Sequence, residues 1–206
     1  MLDRPTPVCA HRPHCDRPAV TPYRRRWGIA IVLSGLIGAP ATSALELADL
    51  EQLLTTGDCV ECDLNGADLR HLDLRGADLR RADLSESNLY QVQLDDADLS
   101  GANLEATYIG HASLRRVNLT EANLEDSRII HTDFSEALLW KTNLEDAGLD
   151  SVNFQSARLL QANFEDALLI RIDFRLTALC GTRMPTGLQF NRNCGDATLL
   201  EMNHPD

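Results

Sequence analysis

The sequence is poor in aromatic residues, which make up 5% of the chain, and it has no proline between Pro40 and Pro185. A core must therefore be built mainly from small and aliphatic side chains. Because proline interrupts the backbone hydrogen bonds of helices and sheets, the long proline-free stretch indicates one continuous regular architecture. Hydrophobic residues still make up 44% of the chain, which excludes wholesale disorder.

Basic residues are also scarce, with Lys+Arg 19 against Asp+Glu 31 and a formal net charge of -12 over 206 residues. Six of the arginines lie in residues 1–44, so the rest of the chain is more acidic than the net charge implies. A surface short of cations does not suit the phosphate backbone of DNA or RNA, or anionic lipid. The composition therefore predicts one domain that binds no nucleic acid and no membrane surface.

No apolar run reaches the roughly 20 residues that a transmembrane helix needs. The run Trp27–Ala39 follows three arginines and ends at Pro40. A basic segment, a short apolar segment and a small-residue exit are typical of a secretory signal peptide. We therefore predict that residues 1–44 direct export to a periplasm, a thylakoid lumen or the outside, with cleavage after Ala41 or Ala44 and no stable membrane insertion afterwards. An uncleaved anchor and a buried core helix are the alternatives.

A five-residue repeat begins at Cys59 and runs without insertion to Met184. Its central residue is Leu, Ile, Phe or Met everywhere except at Cys59, and the residue two positions earlier is usually small. A period of five matches neither the 3.6 of an α-helix nor the 2 of a β-strand. A long run of fixed period predicts a solenoid, in which each unit buries its apolar side against its neighbours.

The units resemble those of the pentapeptide-repeat family, which read Ala-(Asp/Asn)-Leu-x-x, as in Ala77-Asp78-Leu79. The resemblance covers residues 57–186 and implies an all-β solenoid, a right-handed quadrilateral β-helix with four units per coil. It also implies that the central residue and the residue two positions earlier point inward, while the other three positions face solvent.

A second spacing, four repeat units long, agrees with a coil of four units. Phe134, Phe154 and Phe174 share it, and so do Ile109 and Ile129. We therefore predict a stack of phenyl rings along one inner wall of the β-helix.

Both ends of a solenoid expose unpaired rungs and need caps. Leu47, Leu50 and Leu54 keep helical spacing, so we predict a short N-terminal capping helix over residues 45–56. The repeat fails at the turn signal Pro185-Thr186-Gly187. We expect residues 187–206 either to fold back over the last coil as a cap or to trail away as a tail.

The part that follows the predicted signal contains four cysteines, Cys59, Cys62, Cys180 and Cys194. In the implied fold the two pairs lie at opposite ends, which excludes one shared zinc site, and the strand-to-helix context of a redox-active CxxC is missing. We predict two local disulfides, the second closing a loop of about 15 residues, with reduced structural thiols as the alternative. The segments Cys59–Leu64 and Cys180–Gly187 are similar to those that open and close secreted cyanobacterial and chloroplast-lumen members of the family.

The sequence has no Ser/His/Asp pattern, no phosphate-binding loop and no metalloprotease motif, so we predict no enzyme, no cofactor and no metal site. One outer face carries a column of acidic residues, Glu105, Glu125, Glu145 and Glu165. The column either serves only solubility, docks a basic protein or binds a divalent cation weakly, although a flat column does not bring its oxygens to one point as calcium requires. The apolar and aromatic residues predicted to point outward, as contact surfaces, are Tyr90, Tyr108, Ile130, Leu138, Trp140 and Leu160. His111 and His131 share one column, but no third ligand for zinc is evident beside them.

We therefore predict a non-catalytic extracytoplasmic scaffold or protein-interaction module whose partner is an unidentified protein, with self-association as a homodimer one form of contact. The alternative is an acidic DNA mimic that binds a topoisomerase such as gyrase, a role that some members of the family resemble. That alternative requires the chain to stay in the cytoplasm, so processing at Ala41 or Ala44 would count against it.

Overall fold

The computed structural model describes residues 41–192 and residue 194. All of them belong to one of the two units into which the chain divides, Ser34–Asp206. The other unit, Met1–Leu33, lies outside the described residues, as does the whole apolar run Trp27–Ala39 of the predicted signal.

One α-helix, α1 (Ala41–Thr56), precedes the repeats and begins four residues before the predicted start. Leu53 is buried and Leu50 packs against the core, whereas Leu47 and Leu54 are exposed. The helix ends at Gly57, whose N–H donates to the Leu53 carbonyl at 2.9 Å and whose φ of 82° is left-handed. Within residues 41–192 no helix is both long enough and apolar enough to span a bilayer.

Helix α1 also supplies a partner for the open edge of the first coil. In later coils the N–H of the residue before the central one donates to a carbonyl of the preceding coil, as the N–H of Asp83 does to the carbonyl of Cys62 at 2.8 Å. The first coil has no preceding coil, and there the carboxylate of Asp49 accepts the N–H of Asp63 at 2.8 Å. This hydrogen bond satisfies one donor of an edge that would otherwise be unpaired.

Four short strands lie on one face of successive coils: β1 (Tyr108–Gly110), β2 (Arg128–Ile130), β3 (Gly148–Asp150) and β4 (Leu168–Ile170). They form one parallel sheet in the order β1-β2-β3-β4, with Ile109 opposite Ile129 and Ile129 opposite Leu149. The isolated parallel bridges elsewhere in the described repeats join positions four units apart in the same way, as in Asp63 opposite Asp83. The predicted coil of four units is confirmed.

The core consists of the central residues and the small residues two positions before them, as predicted. The Leu, Ile and Phe centres from Leu79 to Leu159 are at most 1% exposed. The rings of Phe134 and Phe154 stack with centroids 5.5 Å apart, and those of Phe154 and Phe174 with centroids 5.9 Å apart. The predicted phenyl stack therefore lies along one inner wall.

Each corner of the β-helix is made by the residue two positions after the centre. From Glu61 to Arg171 this residue has a positive φ in every unit, and it is glycine only at Gly66, Gly76 and Gly101. Left-handed backbone is costly for β-branched residues, and no Val, Ile or Thr occupies a corner position in this range. The sequence is thus selected at the corners as well as in the core.

The last coil departs from the regular register at one hydrogen bond and is closed by a hairpin. Ser156 N–H donates to the carbonyl of Leu176, one residue beyond the position that the regular register would use. Strands β5 (Leu179–Arg183) and β6 (Gln189–Arg192) then pair antiparallel across the predicted turn at residues 185–187. Of the segment for which a cap or a tail was predicted, residues 189–192 pair with β5, and residues 193 and 195–206 lie outside the described part of the chain.

Candidate interaction surfaces

The outward side of sheet β1–β4 carries exposed apolar side chains on neighbouring coils. On each strand the central residue points inward, so its two neighbours point outward. The outward residues, which we call the sheet face, are Tyr108, Gly110, Arg128, Ile130, Gly148, Asp150, Leu168 and Ile170. Leu168 is 62% exposed and Ile170 is 38% exposed. The charge of Asp150 is offset by an ion pair with Arg171.

Two tyrosines lie over the first strand of the sheet face. A Cβ atom added at Gly110 would meet Tyr108 Oη at 2.6 Å and Tyr90 Cδ2 at 3.0 Å. The ring of Tyr108 therefore lies across the backbone of Gly110, a position that only glycine leaves open. The rings of Tyr90 and Tyr108 are nearly parallel, with an interplanar angle of 5° and centroids 6.3 Å apart.

A line of rings follows the border of the sheet face across several coils. His71 meets the ring of Tyr90 at 5.7 Å, and Tyr90 meets His111 at 5.5 Å, both edge to face. His111 and His131 follow at 4.9 Å with a tilt of 34°. The repeat period predicted that the two histidines share one column, but their order with Tyr90 depends on side-chain directions that the period does not specify.

The second predicted apolar group lies on the opposite face and requires one correction. Leu138 is 36% exposed and Trp140 is half-buried, with Lys141 Nζ 4.2 Å from the centroid of the indole ring. Leu160 was expected to be exposed, but only 5% of it is accessible. It occupies the same column as Trp140 and Cys180, one coil from each.

The predicted acidic residues form a column of carboxylates beside a ladder of asparagine amides. Asn123, Asn143 and Asn163 each donate to the Asn one coil earlier, as Asn143 Nδ2 does to Asn123 Oδ1 at 3.1 Å. Asn103, the first of the ladder, donates to Asp83. Asn143 Nδ2 also donates to Glu125 Oε2 at 3.1 Å. The ladder continues one coil further, where Glu145 is the acceptor, and Glu165 pairs with Arg183 at 2.6 Å. Glu125 and Glu145 are therefore held by hydrogen bonds from the ladder, a structural role that was not predicted from the sequence.

The cysteines lie where the repeat begins and ends. The Cα atoms of Cys59 and Cys62 are 5.4 Å apart, and those of Cys180 and Cys194 are 5.3 Å apart. Both distances are within the range found in disulfides. Cys59 and Cys62 are buried at the first coil, and Cys180 lies in β5 of the closing hairpin.

Exposed Asp–Arg pairs dominate the electrostatics of the remaining surface. A hydrogen bond from Arg70 lowers the pKa of Asp68, and a hydrogen bond from Arg116, one coil away, lowers the pKa of Asp96. The pKa values of Asp73 and Asp173 are lowered in the same way, by Arg75 and Arg175. These shifts come from pairing at the surface and not from the buried setting of an active site.

A shallow groove of about 390 Å³ lies on the face opposite the sheet, near the N-terminal coils. Its lining residues are Val60, Arg80, Arg81, Ser100, Gly101, Asn118, Thr120 and Glu121. The two arginines are engaged by Asp78 and Glu61. In the part of the chain that the structure describes, no group of three or more His, Cys, Asp or Glu residues is placed to hold a metal ion.

Comparison with known proteins identifies the class to which the repeats belong. The family model for pentapeptide repeats matches in eight copies over residues 62–101, 97–135 and 128–166. These matches span half of the chain, and the chain therefore belongs to the pentapeptide-repeat family. A comparison with curated proteins returned no match.

Several solved structures of pentapeptide-repeat proteins are similar to the chain. Rfr23 from the cyanobacterium Cyanothece is 25% identical, with a TM-score of 0.40, over 64% of this chain and 97% of that one. A thylakoid-lumen protein from Arabidopsis thaliana is 27% identical, with a TM-score of 0.38, over 74% and 94% of the two chains. QnrB1, a plasmid-mediated fluoroquinolone resistance protein, is 15% identical, with a TM-score of 0.34, over 70% and 84%.

Proposed function

We propose that this pentapeptide-repeat protein is a non-catalytic scaffold that binds a protein partner in an extracytoplasmic compartment, through the sheet face. The observation that carries the proposal is the exposure of Leu168 and Ile170 on the same parallel sheet as Tyr108 and Ile130. Large apolar side chains gathered on one exposed face mark contact sites, whereas scattered ones do not.

The other outer faces support the same choice by contrast. In the acidic column, Glu125 and Glu145 each accept a hydrogen bond from the Asn ladder and Glu165 pairs with Arg183, so three of its four carboxylates are engaged within the protein. The groove offers paired arginines and no acid–base or nucleophilic arrangement. A flat apolar sheet bordered by tyrosine and histidine rings suits a protein partner, because aromatic anchors carry much of the binding energy at protein interfaces.

The proposed compartment rests on the basic and apolar segments within residues 1–44. Cleavage after Ala41 or Ala44 would remove at most the first turn of α1. The capping contacts of Asp49, Leu50 and Leu53 would remain in either product. The two disulfides that we propose, Cys59–Cys62 and Cys180–Cys194, would be stable in an oxidising compartment.

A capture experiment tests the sheet face directly. The bait is the immobilised mature protein, which is incubated with an extract of its own extracytoplasmic fraction. A Tyr108→Ser/Ile130→Ser bait should lose the specifically captured protein, because it removes two apolar contacts from the sheet face. The matched control, Glu125→Gln/Glu145→Gln, should keep it.

Circular dichroism and thermal unfolding must show that both double variants are folded. Capture by the Tyr108→Ser/Ile130→Ser bait at the level of the parent would contradict the proposal. So would an equal loss with the glutamine control, which would place the contact on the acidic column.

The acidic column supports a second candidate, an acidic DNA mimic that binds a topoisomerase such as gyrase. Its four glutamates are spaced one coil apart, and among the described residues Arg183 is the cation paired with them. This function requires the cytoplasm. A mature N-terminus at Thr42 or Leu45, read by mass spectrometry from a cell fraction, would dismiss it, and an intact N-terminus on cytoplasmic protein would favour it.

A further inference from the structure

His111 and His131 form a pair whose geometry differs from that of two unrelated surface histidines. They occupy the same corner position of successive coils, directly after β1 and β2. Their backbones have nearly the same left-handed conformation, with φ of 52° and 50°. The parallel register that joins β1 to β2 fixes the distance between the two backbones, so both imidazoles leave the surface side by side.

The separation of the two rings is that of two imidazoles bound to one metal ion. With metal–nitrogen bonds of about 2.0–2.1 Å, two imidazoles that bind one ion at a square-planar or tetrahedral angle hold their ring centres roughly 4.5–5.2 Å apart. The ring centres of His111 and His131 are 4.9 Å apart. The final torsion of a histidine side chain is broad, so an exposed ring can turn a nitrogen toward the shared position at little cost.

The surroundings favour a cation at this position. The column neighbours of the pair are Gln91 and Ser151, both uncharged, and Arg171 beyond them is bound to Asp150. The rings of Tyr90 and His111 meet edge to face at 5.5 Å, so the pair is bordered on one side by an uncharged aromatic ring. Both imidazoles are exposed, which leaves room for water to complete the coordination. The net charge of -12 raises the local concentration of cations.

We propose that His111 and His131 bind one divalent transition-metal ion between them. Imidazole nitrogen favours late first-row metals, and divalent copper is the strongest binder of that series. A tetragonal ion with two adjacent imidazoles and water in its remaining positions matches two ligands from neighbouring strands. The site borders the sheet face but does not depend on the protein-binding function proposed for it.

Copper binding by the full chain tests the proposal. Cu²⁺ is titrated against a competing chelator, and electron paramagnetic resonance reads the number of nitrogen ligands. His111→Asn and His131→Asn should each abolish the site with two imidazole ligands, whereas His71→Asn should keep it. Asparagine is chosen because it tolerates the left-handed backbone, and an unchanged unfolding midpoint without metal shows that the variants are folded.

The double variant His111→Asn/His131→Asn measures the background Cu²⁺ binding by every other ligand in the full chain, including His11, His14 and His204. A two-imidazole spectrum and a Cu²⁺ affinity in this variant equal to those of the parent would overturn the proposal. Loss in only one of the two single variants would also overturn it, because a shared ion needs both rings. Equal loss with His71→Asn would place the metal elsewhere.

Discussion

Replacing Phe154 by alanine should cost about 3–5 kcal/mol of unfolding free energy, the usual range for deleting a buried phenyl ring. The value should lie in the upper part of that range. Phe154 is 1% exposed and stacks with Phe134 on one side and Phe174 on the other, and it meets Phe164 edge to face at 6.3 Å. Each aromatic pair contributes about 0.5–1.5 kcal/mol beyond the area that it buries.

The assay is urea unfolding followed by circular dichroism, with thermal unfolding beside it. For a chain of this size, 1 kcal/mol corresponds to roughly 2–4 °C, so the melting temperature should fall by about 8–20 °C. Phe154→Leu should cost less, about 1–2 kcal/mol, because Leu114 and Leu94 fill the same wall two and three coils earlier. Gln155→Ala, at the exposed neighbour, should change stability by less than about 0.5 kcal/mol.

Two results would refute this reasoning. A loss below about 1 kcal/mol for Phe154→Ala would mean that the phenyl ring is not enclosed by the coils above and below it. Equal losses for Phe154→Leu and Phe154→Ala would mean that the wall does not accept an aliphatic side chain at this level.

Three further predictions concern the corners, the Asp–Arg pairs and the closing hairpin. Glu136→Ile should destabilise the protein by about 1–2 kcal/mol in urea unfolding, because Glu136 has a left-handed φ of 62°. Glu136→Asn should be nearly neutral, and equal effects of the two variants would contradict the corner assignment. The pKa values of Asp68, Asp73, Asp96 and Asp173 are lowered in the folded state, so their contribution to stability is present above the ordinary aspartate pKa of about 3.9 and is lost as the pH falls through the lowered values. In the Asp96→Asn variant, the free energy of unfolding should therefore fall less steeply as the pH is lowered into the acid range. The same pH dependence as in the parent would contradict the pairing. Cys180→Ser should lower stability by about 3 kcal/mol under oxidising conditions and have little effect in reductant, whereas an effect independent of reductant would argue for reduced thiols.

The sequence predicts the coil well because each inward position carries its own signal. A polar residue at a position such as Leu104 or Leu124 would be buried without a partner, so the apolar centre recurs in every unit. The phenylalanines spaced four units apart add the contact between coils. Together these two spacings specify the register of the parallel sheet.

The corner conformation could also have been read from the sequence. The absence of Val, Ile and Thr at the corner position is as regular as the presence of Leu at the centre, and its cause is the left-handed backbone. The Asn ladder could have been read as well, since Asn103, Asn123, Asn143 and Asn163 share one column.

Other features depend on geometry that the period of five does not contain. No residue is inserted near Leu176, yet the hydrogen bond from Ser156 reaches one residue further there than the register predicts, and the register is regular again at Leu159. Leu160 occupies a position that is exposed or half-buried in most other units, but only 5% of it is accessible. The carboxylate of Asp49 reaches Asp63 only because α1 packs on the first coil. Each of these depends on the ends or neighbours of the solenoid and not on a repeating unit.

The most direct test of the coil is a nuclear Overhauser measurement on the labelled protein in solution. If four repeat units make one coil, backbone contacts should join Ile109 to Ile129 and Ile129 to Leu149, as the parallel register of β1, β2 and β3 requires. Contacts at any other separation, or none between these strands, would contradict the fold, the sheet face and the histidine pair together.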